Sequence, residues 1–125
     1  MTVQTHEVIV RRFFYEVLRD GKLEVLDEIM APNCSYADGG NLKHKTRHAF
    51  TNYVREARAQ FTRVSITIHD MVAEGEKVAI RCTYHLETEC NRYALPVMGI
   101  FRFRENKIVE IWRNIAARDD TESSS

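Results

Sequence analysis

The hydrophobic positions of this chain follow two periods. Over residues 3–19 they recur three and four apart, with Val10, Phe13, Phe14, Val17 and Leu18 on one stripe, the pattern of an amphipathic helix. Asp20-Gly21 closes that helix, the glycine supplying the left-handed position past its C-terminus. KLEVLDEIMA places Leu23, Leu26 and Met30 on one face and predicts a shorter second helix that Pro32 stops. So short a connection lays the two helices against each other. A short strand, NCSYA, and a loop, DGGNLKHK, lead to Thr46, the predicted N-cap of a third helix whose stripe is Phe50, Tyr53, Val54, Ala57 and Phe61.

After Arg63 the period becomes two. Val64, Ile66 and Ile68 alternate with Ser65, Thr67 and His69, and Ala73-Glu74-Gly75-Glu76 reads as a turn. Strands are predicted over 78–89, 93–103 and 108–116, the last pair joined by the hairpin-length link Arg104-Glu105-Asn106-Lys107. Helices first and hairpin-linked strands afterwards predict an α+β domain. It spans residues 1–118, and the polar tail 119–125 is expected to be disordered. An antiparallel sheet curls by its own twist, and a concavity that the helices do not fill leaves a pocket.

The strand at 78–89 has two distinct faces. Val78, Ile80, Cys82, Tyr84 and Leu86 form one, and Ala79, Arg81, Thr83, His85 and Glu87 the other. The simple rule turns the apolar face toward the helices. The alternative turns the polar face into the pocket and the apolar face into a dimer interface, and the pattern alone does not choose.

Composition narrows the function. The chain has 125 residues, enough for one real core, with 18 Lys+Arg against 18 Asp+Glu. A zero net charge without any basic block argues against a nucleic-acid partner, which needs clustered cations. No apolar run is long enough to span a membrane, and the N-terminal stretch shows no signal-peptide pattern, so a cytoplasmic location is expected. Cys34, Cys82 and Cys90 have no CxxC spacing and read as free thiols. His44 and His48 stand four apart but straddle the predicted N-cap, and no metal site is expected.

FYEVLRDGKLEVLDEIMAP, VAEGEKVAIR and IFRFRENKIVEIW resemble the SnoaL-like branch of the NTF2-like superfamily, over roughly residues 8–115. The resemblance implies a cone: a curved, mostly antiparallel sheet wrapped around three helices, with an internal apolar pocket, in a homodimer. In its enzymes the face matching Ala79, Arg81, Thr83 and His85 points into the cavity. The resemblance therefore favours the polar face inward, with a second copy covering the open, apolar face of the sheet.

Three branches bear on the chemistry. LRDGKLEVLDEIMAPNCSYAD is similar to the ketosteroid isomerases, where Asp38 falls on the general base, but their oxyanion tyrosine falls on Phe14 and their protonated acid on Gly99. Against the limonene-type epoxide hydrolases, Tyr36 and Asp38 match a Tyr/Asn pair and Arg81 an arginine, while the two acids fall on Thr83 and Asn114. Polyketide cyclases of the family place a histidine before the last-strand tryptophan and an acid shortly after it; around Trp112 this chain has Ile111 and Arg113.

Two readings follow. In the first, the protein is a cofactor-free acid/base enzyme of isomerase or cyclase type, acting on a small apolar carbonyl compound. Asp38 is the base, since a carboxylate at the edge of an apolar cavity is poorly solvated and accepts protons more readily. Tyr36, Arg81, His85 and Asn114 orient or polarise the substrate, and Phe14, Tyr53, Met98, Phe101 and Trp112 wall the cavity. In the second, the same fold is a non-catalytic ligand-binding or dimerisation domain. Asp38 is then a turn residue before Gly39-Gly40, Arg81 pairs with a structural partner, and His85 is a core or interface residue.

Overall fold

A computed structural model describes residues 5–116. Residues 3 and 4 of the expected first helix and the tail at 119–125 lie outside the described residues. Helix α1 (His6–Arg12) starts at Thr5, whose hydroxyl accepts from the Val8 N–H at 3.2 Å. The chain continues as a π-helical stretch over Phe13–Arg19. The Asp20 N–H reaches back five residues to the Tyr15 carbonyl at 3.0 Å, and Gly21, at φ 77°, ends the helix as the sequence predicts. Phe13 and Phe14 at its start are both buried in the core.

The second helix is shorter than its apolar spacing suggests. It consists of a 3-10 turn (Leu23–Val25) and α2 (Leu26–Ile29), and Met30 already belongs to a strand. Helix α3 (Arg47–Ala59) begins at Thr46, whose hydroxyl accepts from the Ala49 N–H at 3.0 Å, as expected of an N-cap.

Six strands form one curved, unclosed sheet: β1 (Met30–Asp38), β2 (Asn41–His44), β3 (Arg63–Glu74), β4 (Lys77–Glu87), β5 (Arg92–Arg104) and β6 (Lys107–Ile115), in the order β2-β1-β6-β5-β4-β3. All described pairings are antiparallel except β1 with β6. The architecture is the α+β cone that the sequence predicts. The loop expected over 38–45 is instead a hairpin. Asp38 pairs with Asn41 across Gly39-Gly40, whose φ values of 60° and 83° are those a two-residue primed turn demands.

The core lies between the helices and one face of the sheet. Val78, Ile80, Cys82, Tyr84 and Leu86 all point into it. This corrects the face assignment drawn from the family resemblance: the apolar face of β4 meets the helices, and Ala79 and Arg81 stand exposed on the other side. The physical reason is the simple rule itself. Five apolar side chains removed from water contribute on the order of 10 kcal/mol, and no charged face competes with that. No second copy is needed to cover them.

Candidate functional site

The inward row of the sheet at the level of α3 reads Met71, Ile80, Gly99, Arg113, Asp38 across β3, β4, β5, β6 and β1. Register sets Asp38 directly beside Arg113, and the parallel pairing of β1 with β6 aims both side chains inward. Arg113 Nη2 donates to Asp38 Oδ2 at 2.6 Å, with only 17 % and 21 % of the two side chains exposed. The Gly39 N–H donates to the Arg113 carbonyl at 3.0 Å and locks the two strand ends together.

Two tyrosines complete the cluster. The Tyr36 hydroxyl donates to Asp38 Oδ2 at 3.3 Å and lies 3.4 Å from the Tyr53 hydroxyl. Arg113 Nη2 also donates to the Tyr53 oxygen, at 3.1 Å. The guanidinium lies over the rings of Tyr36 and Tyr84, 5.5 and 5.7 Å from their centroids. Burial works against the Arg113 charge, but the surrounding phenols and Asp38 outweigh it and hold its pKa above the ordinary value. Burial pushes the Tyr36 phenol up as well, and the Tyr84 phenol up to about 12. Among the described residues, Arg113 Nε is the buried side-chain polar atom left without a partner.

Two cavities meet at this cluster. The inner one, about 30 Å³, is walled by Phe13, Phe14, Phe50 and Phe101, and its size suits about one water molecule. The outer one is a groove of about 250 Å³ between α3 and the ends of β3–β6. Tyr53, Tyr84 and Arg113 line both.

The expected site residues divide between the two faces of the sheet. Phe14, Tyr36 and Phe101 line the inner cavity, and Tyr53 lines both. Asp38 points inward but lines neither cavity, because Arg113 and Tyr53 stand in front of it. Its side chain makes no Asx bond to the turn; Oδ2 takes the two bonds above and Oδ1 has no partner among the described residues. Trp112 contributes to the inner wall, yet its register with Ile100 puts it on the outer face, where its N–H donates to Glu110.

Arg81, His85, Met98 and Asn114 belong to the outer face, which corrects their expected place in the pocket. Arg81 pairs with Asp70 at 2.7 Å, His85 shares a hydrogen bond with Thr67 at 3.0 Å, and Met98 stands opposite Asn114 in the register of β5 with β6. Arg81 and His85 follow β4, whose apolar partners already claim the core. Gly99, where the isomerases' acid aligns, has no room for a side chain: an added Cβ would sit 2.7 Å from the Trp112 carbonyl oxygen.

Arg113 was missed. Its signal was the alternation Ile111, Arg113, Ile115, which places one arginine in an otherwise inward-facing apolar row.

Among its described residues, this cone-shaped α+β domain brings an inward ion pair and two phenols together beside an apolar groove. The sequence profile of the SnoaL-like domain family matches residues 10–111, and the chain belongs to that family. Its fold is shared with IdmH from Streptomyces antibioticus, a proposed polyketide cyclase (20 % identity, TM-score 0.79, covering 90 % of this chain and 93 % of that one). It is shared also with an LEH-like epoxide hydrolase of M. tuberculosis (17 % identity, TM-score 0.80, covering 94 % and 86 %). An NTF2-like protein of unknown function from Cytophaga hutchinsonii aligns over the full length of both chains (13 % identity, TM-score 0.75). A comparison with curated proteins finds no match. No helix among the described residues is long and apolar enough to cross a membrane.

Proposed function

We propose that the protein is a cofactor-free acid/base enzyme of isomerase or cyclase type, acting on a small apolar compound that carries a carbonyl group. The observation that carries this reading is the Asp38–Arg113–Tyr36–Tyr53 cluster at the junction of the two cavities. Arg113, which lines both cavities and whose Nε–H has no partner among the described residues, donates to the carbonyl oxygen as negative charge develops there. The proton released beside the carbonyl passes to the Tyr53 oxygen as Tyr53 hands its own proton to Tyr36 and Tyr36 hands its proton to Asp38. Asp38 thus remains the proton acceptor, reached through two phenols. The distances of 3.3 and 3.4 Å between these hydroxyls and the carboxylate shorten when a ligand fills the groove.

The test is proton exchange in deuterated water, followed by NMR on a panel of small ketones. Wild-type protein accelerates exchange beside the carbonyl, and Asp38→Asn keeps the fold and loses the acceleration. Normal exchange by the variant sinks the reading. A second reading, non-catalytic ligand binding, is favoured by one observation: Asp38 Oδ2 is already engaged by Arg113 and Tyr36. Retention of a ketone by wild type without exchange supports it.

The same proposal includes a homodimer, paired through the face that is open in the structure. Leu42, Trp112, Ile100 and Val72 are all large, apolar and exposed. With Ala37 and Ala79 they form one row across all six strands. The pairs Asp70–Arg81 and Arg102–Glu110 bring both signs of charge to this face, as a self-complementary two-fold contact needs. Ile100→Glu gives a monomer by light scattering where the wild type is a dimer; an unchanged mass in both overturns this pairing.

A further inference from the structure

The outer groove carries positive charge and no negative charge. Its wall is apolar along Val54, Phe61, Ile66, Leu86, Leu95 and Ile115, and no Asp or Glu lines it. The polar side chains that do are Tyr53, Tyr84, Arg113 and Arg58: two phenols, which donate and accept, and two guanidiniums, which only donate. The two arginines are not equivalent. Arg113 is neutralised by Asp38. Arg58 forms no ion pair with any described carboxylate. Its Nε donates to the Leu18 carbonyl at 2.8 Å and its Nη2 to the Arg19 carbonyl at 3.0 Å. These bonds hold the guanidinium against Gly21 at the end of the π-helical stretch, half-buried, with Nη1 making no hydrogen bond among the described residues. Asp20, beside Gly21, is held by Arg19 at 2.9 Å.

A cation fixed by backbone carbonyls at one end of an apolar groove, with a neutralised arginine and two phenols at the other, specifies a ligand with two polar ends. We propose that the groove takes an amphipathic oxo-carboxylate: a carboxylate on Arg58, an alkyl body along the apolar wall, and a carbonyl oxygen at Arg113. This rests on the reading above, in which the carbonyl lies at Arg113, and adds the class of molecule that carries it. The groove volume of about 250 Å³ sets the length. A cavity of about 150 Å³ holds benzene, so this one holds a body of about ten non-hydrogen atoms.

The experiment is an NMR titration of the full chain with 7-oxooctanoate, its methyl ester and octan-2-one. Wild type is expected to bind the acid about tenfold more tightly than the ester, the scale of one charge-assisted hydrogen bond. Arg58→Gln is expected to bring the acid down to the level of the ester and to leave octan-2-one unchanged. If Arg58→Gln weakens octan-2-one as well, Arg58→Lys decides, since it keeps the charge without the paired bonds to Leu18 and Arg19. A retained acid preference then supports the proposal, and a lost one overturns it. Equal binding of acid and ester by wild type overturns it too, while leaving the carbonyl reading at Arg113 intact. Binding of none of the three removes the groove as a ligand site, and Asp38→Asn exchange on the ketone panel then tests the catalytic reading separately.

Discussion

Arg81 and Arg113 look alike in sequence. Each stands in an alternating strand, and each ends in an ion pair with an aspartate, at 2.7 Å for Arg81–Asp70 and 2.6 Å for Arg113–Asp38. What separates them is the face of the sheet. Arg81 and Asp70 are 54 % and 59 % exposed, and water screens the pair. Arg113 and Asp38 are 17 % and 21 % exposed and lie among aromatic rings, where each charge depends on the other. The distance between partners says little about what an ion pair does; the solvent around it decides.

The largest expected effect breaks the inward pair. Arg113→Met keeps most of the volume but strips Asp38 of its cation and Tyr53 of a donor. Removing one partner of a buried pair costs about 3 kcal/mol. Urea denaturation reads this as a lower midpoint with an unchanged slope. A loss below about 1 kcal/mol would put Arg113 in the range of a surface pair and collapse the comparison.

Much of this arrangement was legible beforehand, and the errors have physical causes. Thr46 and Gly21 were readable because caps and helix ends have strong local chemistry. The apolar face of β4 was readable from alternation alone, and the family resemblance turned it the wrong way. β2 was not readable: NLKH is a short edge strand, mostly exposed, so it carries no apolar alternation, and only Gly39-Gly40 marked its turn. The π-helical stretch hid because Phe13 and Phe14 are both buried, which a period of 3.6 explains no worse than a wider turn does. Arg113 hid because a charged residue in an inward row looks like a departure from a motif, when it is the cation that Asp38 and Tyr53 gather around.

The inward face also sharpens the comparison through pH. Burial pushes the Tyr84 phenol up to about 12, against about 10 in an unfolded chain. Burial likewise pushes the Cys34 thiol up to about 12 and the Cys82 thiol up to about 11. Each group holds its proton more tightly when folded, so the stabilisation is complete below the unfolded values and is lost as pH rises toward the folded ones. Stability is therefore expected to fall between about pH 8.5 and 12. Tyr84→Phe removes one titrating group, so its decline over the same range is shallower. An identical decline in both proteins would mean that Tyr84 does not titrate differently on folding.

The smallest effect belongs to the outward pair. Arg81→Gln leaves Asp70 in contact with water, so its carboxylate loses a partner without losing its hydration. At protein concentrations low enough to keep the chain monomeric, the change in stability is expected to stay below about 1 kcal/mol. The row of Leu42, Trp112, Ile100 and Val72 gives this small number its meaning. In the proposed homodimer a second copy covers the open face, and the same pair would be drained of water and take on the character of Arg113–Asp38. The cost of Arg81→Gln then rises with protein concentration. A cost that is already large in the monomer would show that Arg81 and Arg113 differ less than their surroundings imply.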